Sequence, residues 1–165
     1  MNARLGSVHA ERRTLEAAVA KSRADPRASI DHAIVREGLL ADAKRAQRRI
    51  ALNESLAAAD VFLRHLDARY PVGLAILFGS RARGDHDAES DADLAVILDG
   101  PIGARSTVAA DMAGVAFHAM LETGVLVDPL PLWRDEFESP EEFNNPALIE
   151  NILREGVPLE RSARR

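Results

Sequence analysis

The sequence predicts an α/β domain of the α+β type, a mixed sheet of about three to five strands with helices packed on one side, preceded by an N-terminal helical extension. Residues 29–69 contain no proline and a single glycine, Gly38, and their apolar positions recur at helical spacing. From Pro71 onward the pattern changes to short apolar runs, each closed by glycine or by an Asp-Gly turn, as buried strands are. The chain has 165 residues, 47% of them apolar, which suffices for one core and an appendage.

Taken in order, residues 10–24 are rich in helix formers, with Leu15, Ala18 and Val19 on one stripe, and Asp25-Pro26 ends the segment. The stretch 29–69 reads as one long helix broken near Gly38, or as two, with Ile30, Ile34, Ile50, Leu52, Leu56, Phe62, Leu63 and Leu66 on its apolar positions. Within it, residues 41–49 are basic and weakly apolar, suited to a solvated face or a partner surface. A strand is predicted at 72–78, stopped by Gly79, and another at 91–98, stopped by Asp99-Gly100-Pro101. Ser106 or Thr107 is then a natural cap for a helix reaching about residue 122, with Val108, Met112, Val115 or Ala116, and Met120 inward and Gly124 after its end. A third strand spans 125–132, where Pro129 and Pro131 suit an edge or a strand end. The last helix covers 145–155 and stops at Gly156. These elements divide into a helical extension over 1–48, a domain over 49–160 and a tail over 161–165.

Composition narrows the function. Residues 1–69 carry 13 Lys/Arg against 9 Asp/Glu, whereas residues 70–165 carry 8 against 17. An acidic second half argues against holding nucleic acid by the overall field and favours holding cations. The absence of cysteine excludes disulfides and thiolate metal sites. No apolar run approaches the roughly 20 residues a bilayer span needs, so the expectation is a cytoplasmic protein with no membrane partner.

Chemistry concentrates between Leu77 and Leu94. A strand that ends in Gly79-Ser80 and turns toward a short helix brings backbone close to a ligand and points free N–H groups and a hydroxyl at an anion. Asp91 and Asp93, two apart in a strand, share a face and can grip one ion or ion pair. Acids stand at 85, 87, 89, 91 and 93, so this segment needs cations or must splay apart; Arg81 and Arg83 are placed to offset the charge or to hold phosphates.

Gly79-Ser80, ten intervening residues and Asp91-x-Asp93, within the phrases Phe-Gly-Ser-Arg-Ala-Arg-Gly-Asp and Ser-Asp-x-Asp-Leu, resemble the signature of minimal nucleotidyltransferase domains of the DNA polymerase beta-like superfamily. The resemblance covers roughly residues 50–160 and includes Val127-Asp128 and the closing Glu155-Gly156-Val157-Pro158-Leu159. It implies the polymerase beta-like fold and assigns Asp128 as a third metal-binding carboxylate beside Asp91 and Asp93, all three catalytic. It also assigns Gly79, Ser80, Arg81 and Arg83 to the nucleotide, ATP or another NTP, and implies two-metal transfer with magnesium. The same family includes antitoxins that place AMP on a HEPN-type toxin. The resemblance therefore implies AMPylation of a partner protein within a toxin–antitoxin pair.

Two other functions compete. One is transfer to tRNA or to a small hydroxylated molecule, for which Arg36–Arg49 is the single basic platform. The other is a non-catalytic module in which the N-terminal helices recruit a partner or form an oligomer. Trp133 is expected as a core plug or lid, and His86 as a solvated loop residue.

Overall fold

In the computed structural model, residues 13–14, 16–20, 32–66, 69–87 and 90–159 are described. The chain divides into two compact units, residues 1–47 and 48–165. Residues 13–14 and 16–20 are helical, inside the helix expected at 10–24. The break at Asp25-Pro26 and the tail at 161–165 lie outside the described residues.

Helix α1 runs from His32 to Leu66 without interruption. The break expected near Gly38 is absent, because one interior glycine costs only about 1 kcal/mol relative to alanine and good helix formers flank it. Its last turns place Ala58, Ala59, Phe62, Leu63 and Leu66 at helical spacing, all buried.

The remaining elements are β1 (Val72–Leu77), α2 (Gly79–Arg83), β2 (Ala92–Leu98), α3 (Arg105–Thr123), β3 (Val127–Trp133), α4 (Arg134–Glu138), a 3-10 turn (Pro140–Glu142), α5 (Pro146–Glu155) and β4 (Val157–Pro158). The strands form one mixed sheet in the order β3-β2-β1-β4. β1 runs antiparallel to β2 and β4, and β3 runs parallel to β2. The parallel pair follows from its connection, since α3 carries the chain back across the sheet between β2 and β3. Gly124 ends α3 in the left-handed region at φ 75°, donating its N–H to the Met120 carbonyl. The expected cap differs: Ala104 occupies that position with no side-chain bond, and Ser106 and Thr107 lie within the first turn of the helix.

Alternation along the strands separates two cores. Leu77, Leu94, Val96 and Val127 meet α1 and α3 on one face, against Phe62, Leu66, Met112 and Ala119. Ile76, Ala95, Ile97 and Leu132 point the other way and are covered by Ile152 of α5, with Phe137, Phe143 and Leu148 around it. The two long helices thus share one side, as expected, but the short helices close over the opposite face as well. The reason is visible in β2, where six of seven residues are buried and a one-sided sheet would leave Ala95 and Ile97 in water.

Pro129 and Pro131 do not interrupt β3. The ladder is continuous from Ala92↔Val127 to Leu98↔Trp133. Two prolines of the same parity allow this because their missing N–H groups line up on the free edge of an edge strand. Trp133 is 3% exposed and part of the core. The Arg105 guanidinium lies 5.0 Å from its ring and 5.0 Å from that of Phe143, and pairs with Glu136 at 2.5 Å.

Candidate active site

The antiparallel register of β1 and β2 sets Leu77 opposite Leu94, so the end of one strand lies beside the start of the other. The Phe78 N–H donates to the Asp93 carbonyl at 2.9 Å, and the chain then turns at Gly79 into α2. Gly79 has φ 72°, a left-handed conformation that side chains disfavour. A Cβ there would overlap the Asp93 carboxylate. The glycine is therefore required twice, for the turn and for the approach. Phe78 offers α2 no side-chain cap, and Gly84 closes the helix at φ 74° with its N–H on the Ser80 carbonyl at 2.8 Å.

Asp93 and Asp128 are register partners on the parallel strands and so project from the same sheet face side by side. Asp91 precedes β2 by one residue. Burial raises the Asp93 carboxyl above its ordinary pKa, and the charges of Asp128 and then Asp91 push it further, while Arg83 pulls it down. The sequence-predicted trio is thus brought within electrostatic reach. Among the described residues no three acidic or imidazole groups close tightly enough to enclose a metal ion by themselves. Crowded carboxylates with an all-oxygen donor set nonetheless fit a hard divalent cation whose remaining ligands come from substrate phosphates.

Of the two arginines expected to face the nucleotide, Arg81 turns away. It is 7% exposed, donating from Nε to the Ser90 carbonyl at 2.5 Å and from its terminal nitrogen to Ser55 Oγ at 3.3 Å. Ser55 in turn donates to the Ala51 carbonyl at 2.8 Å. Arg81 is a strut that ties α1 to the residue before Asp91. Its direction follows from position: on a five-residue helix one arginine faces inward while Arg83, two residues on, faces out. Replacing Arg81 with methionine is expected to lower unfolding stability by about 1–3 kcal/mol, since it strands the Ser90 carbonyl and removes the tie to Ser55, which keeps its own bond to Ala51. Denaturant melts check this; unchanged stability with weakened nucleotide binding would return Arg81 to the ligand.

Arg83 is exposed and pairs with Asp85 at 3.2 Å and Glu155 at 3.3 Å. These contacts, the Asp85 hydrogen bond foremost, raise its already high pKa. It lines a cleft of about 390 Å³ with Phe78, Gly79, Leu148, Asn151 and Arg154. Gly79 thus belongs both to the wall of the cleft and to the contact with Asp93. The residues from α5 were missed in the sequence because they carry no local pattern. Their one signal is that Ile149 and Ile152 face inward, which leaves Asn151, Arg154 and Glu155 together on the other side of the helix. In the acidic loop the Asp87 carboxylate accepts from Ser90 Oγ at 2.8 Å. His86, expected in solvent, is half-buried there with its Nδ1 enclosed.

No protein of curated function matches the sequence. A crystal structure of a candidate nucleotidyltransferase from Sulfolobus solfataricus is similar at 17% identity and a TM-score of 0.43, over 70% of this chain and 88% of that one. The family model for the nucleotidyltransferase domain matches residues 60–158, which span β1 to β4 and contain Gly79, Ser80, Asp91, Asp93 and Asp128. With that match over more than half its length, the chain belongs to the nucleotidyltransferase domain family.

Proposed function

We propose that the protein transfers AMP from ATP to a hydroxyl group on a partner protein. The observation that carries this is the approach of Gly79 to the Asp93 carboxylate, with Asp128 in register beside it. It joins a phosphate-binding turn to a cation-seeking carboxylate pair at one end of the sheet. The backbone around Gly79 and Ser80 holds the leaving phosphates and Arg83 neutralises part of their charge. Asp128, at the open edge of the sheet, takes the proton of the acceptor hydroxyl. The acceptor oxygen forms a bond to the α-phosphorus as the bond to the bridging oxygen breaks, and pyrophosphate leaves. Asp91, Asp93 and Asp128 are the residues that would hold magnesium, which when bound lowers the pKa of the acceptor hydroxyl and neutralises the leaving group.

A protein acceptor is favoured by the surface of α1, where Leu39 and Leu40 are 65% and 56% exposed, apolar area that nucleic acid does not seek. A HEPN-type toxin is the partner class the sequence resemblance suggests. No described helix is long and apolar enough to cross a membrane. Incubating the protein with magnesium, α-labelled ATP and a lysate of the source cell is expected to label one protein band, lost with Asp91→Asn/Asp93→Asn. Label in RNA or in a small molecule instead would transfer the assignment to that acceptor.

A further inference from the structure

The cleft beside Gly79 contains two cations that the roles above use only in part. Arg83 approaches from α2 and Arg154 from the last turn of α5, and one carboxylate, Glu155, binds both. Its oxygens lie 3.3 Å from Arg83 and 2.8 Å from Arg154, whose guanidinium also donates to Asn151 Oδ1 at 2.5 Å. A carboxylate bridging two guanidiniums occupies the arrangement that a phosphate takes between arginines. The pairs are accessible: Arg83 and Arg154 side chains are 44% and 64% exposed, so ligand oxygens can replace Glu155 without unpacking the core.

We infer that Arg154 and Arg83 form a two-sided grip for the terminal phosphates of the nucleotide, with Glu155 as the internal anion that the phosphates displace. This rests on the proposed nucleotidyl transfer. The reacting α-phosphate belongs at Asp91, Asp93 and Asp128, so groups past Gly79 meet either the nucleoside or the leaving pyrophosphate. Two converging guanidiniums select the anionic end. Gly156 lets α5 end close against β1, since a Cβ there would overlap Ile76 and the Ile152 carbonyl and shift the end of α5 that carries Arg154 and Glu155. The Glu155 carboxyl is held below its ordinary pKa, chiefly by Arg154, and so is charged at neutrality and competes with phosphate.

Calorimetric titration of the full chain with Mg-ATP, AMP and magnesium pyrophosphate, alongside the transfer assay, tests the grip. Arg154→Ala is expected to weaken ATP and pyrophosphate by about tenfold, the loss of one charge-assisted contact, and to leave AMP unchanged. Arg154→Lys should recover part of that loss. Glu155→Gln should tighten pyrophosphate by roughly threefold, a gain that removing a merely structural ion pair does not produce. If Arg154→Ala binds all three as the wild type does, or weakens AMP equally, the grip is overturned while nucleotidyl transfer stands. If the wild type binds none of them and transfers no label, the parent reaction itself is wrong; if Asp93→Asn transfers normally, the reaction stands but not its assignment to these carboxylates.

Discussion

Replacing Asp93 with asparagine is expected to reduce nucleotidyl transfer by about a thousandfold, some 4 kcal/mol of barrier at 1.36 kcal/mol per decade, while making the metal-free protein more stable. The two effects share one cause. Asp93 is half-buried beside Asp128 and Asp91, so its charge is repelled by the same neighbours that make the site attractive to a cation. Asparagine removes the repulsion and a metal ligand together. Because the group is partly solvated the gain is small, a rise in melting temperature of about 1–3 °C. Its pH dependence has a definite sign. An unfolded aspartate titrates near about 3.9, and folding raises Asp93 above that, so the folded state binds the proton more tightly. The penalty is absent below the unfolded value, grows as pH rises from the unfolded to the folded value and is complete above the folded one. The stability advantage of Asp93→Asn should therefore vanish in acid. Thermal melts at several pH values without metal, then with magnesium, read both effects; magnesium should stabilise the wild type and not the variant. A variant less stable than the wild type at neutral pH would mean that Asp93 is not under repulsion.

Gly79→Ala is expected to be nearly as damaging to transfer with a different stability outcome. A left-handed φ of 72° costs an L-residue about 1–2 kcal/mol, and the new methyl group must displace the Asp93 carboxylate or the turn itself. A shift of about 1 Å at a reacting centre can cost about a hundredfold, so transfer should fall by at least about that factor, with a stability loss of about 2 kcal/mol. Steady-state kinetics beside denaturant melts separate the two. Normal activity would mean that the contact between Gly79 and Asp93 has no catalytic consequence.

Much of this architecture was legible in the residues, for reasons that show where such reading ends. β1, β2 and β3 are apolar runs bounded by Pro71, Gly79, Asp99 and Gly124, so composition and punctuation agree. The edge position of β3 was readable from Pro129 and Pro131, which are silent in the ladder only on a free edge. The Gly-Ser and Asp-x-Asp spacing leads to the expectation that both pairs face one cleft, whereas the contact of Gly79 with Asp93 depends on the antiparallel register of β1 and β2, which spacing alone does not specify. By contrast, β4 has two residues and one is proline, so it has no period of its own and exists through pairing with Ile76 and Leu77. Cover on the second face came from α4, the 3-10 turn and α5, two of them too short to show helical periodicity. The direction of Arg81 depended on Ser55, 26 residues away in sequence, and the grouping of Arg83 with Arg154 and Glu155 spans 72 residues. Long-range charge pairs leave no local trace.

The most direct test of nucleotidyl transfer is to follow both ends of one ATP molecule. With magnesium and the acceptor, ATP labelled at the α-phosphate should mark the acceptor, and ATP labelled at the γ-phosphate should release its label as pyrophosphate. Label from the γ-phosphate on the acceptor, with none from the α-phosphate, would mean phosphoryl transfer and would contradict the assignment of the Gly79 turn to the leaving group.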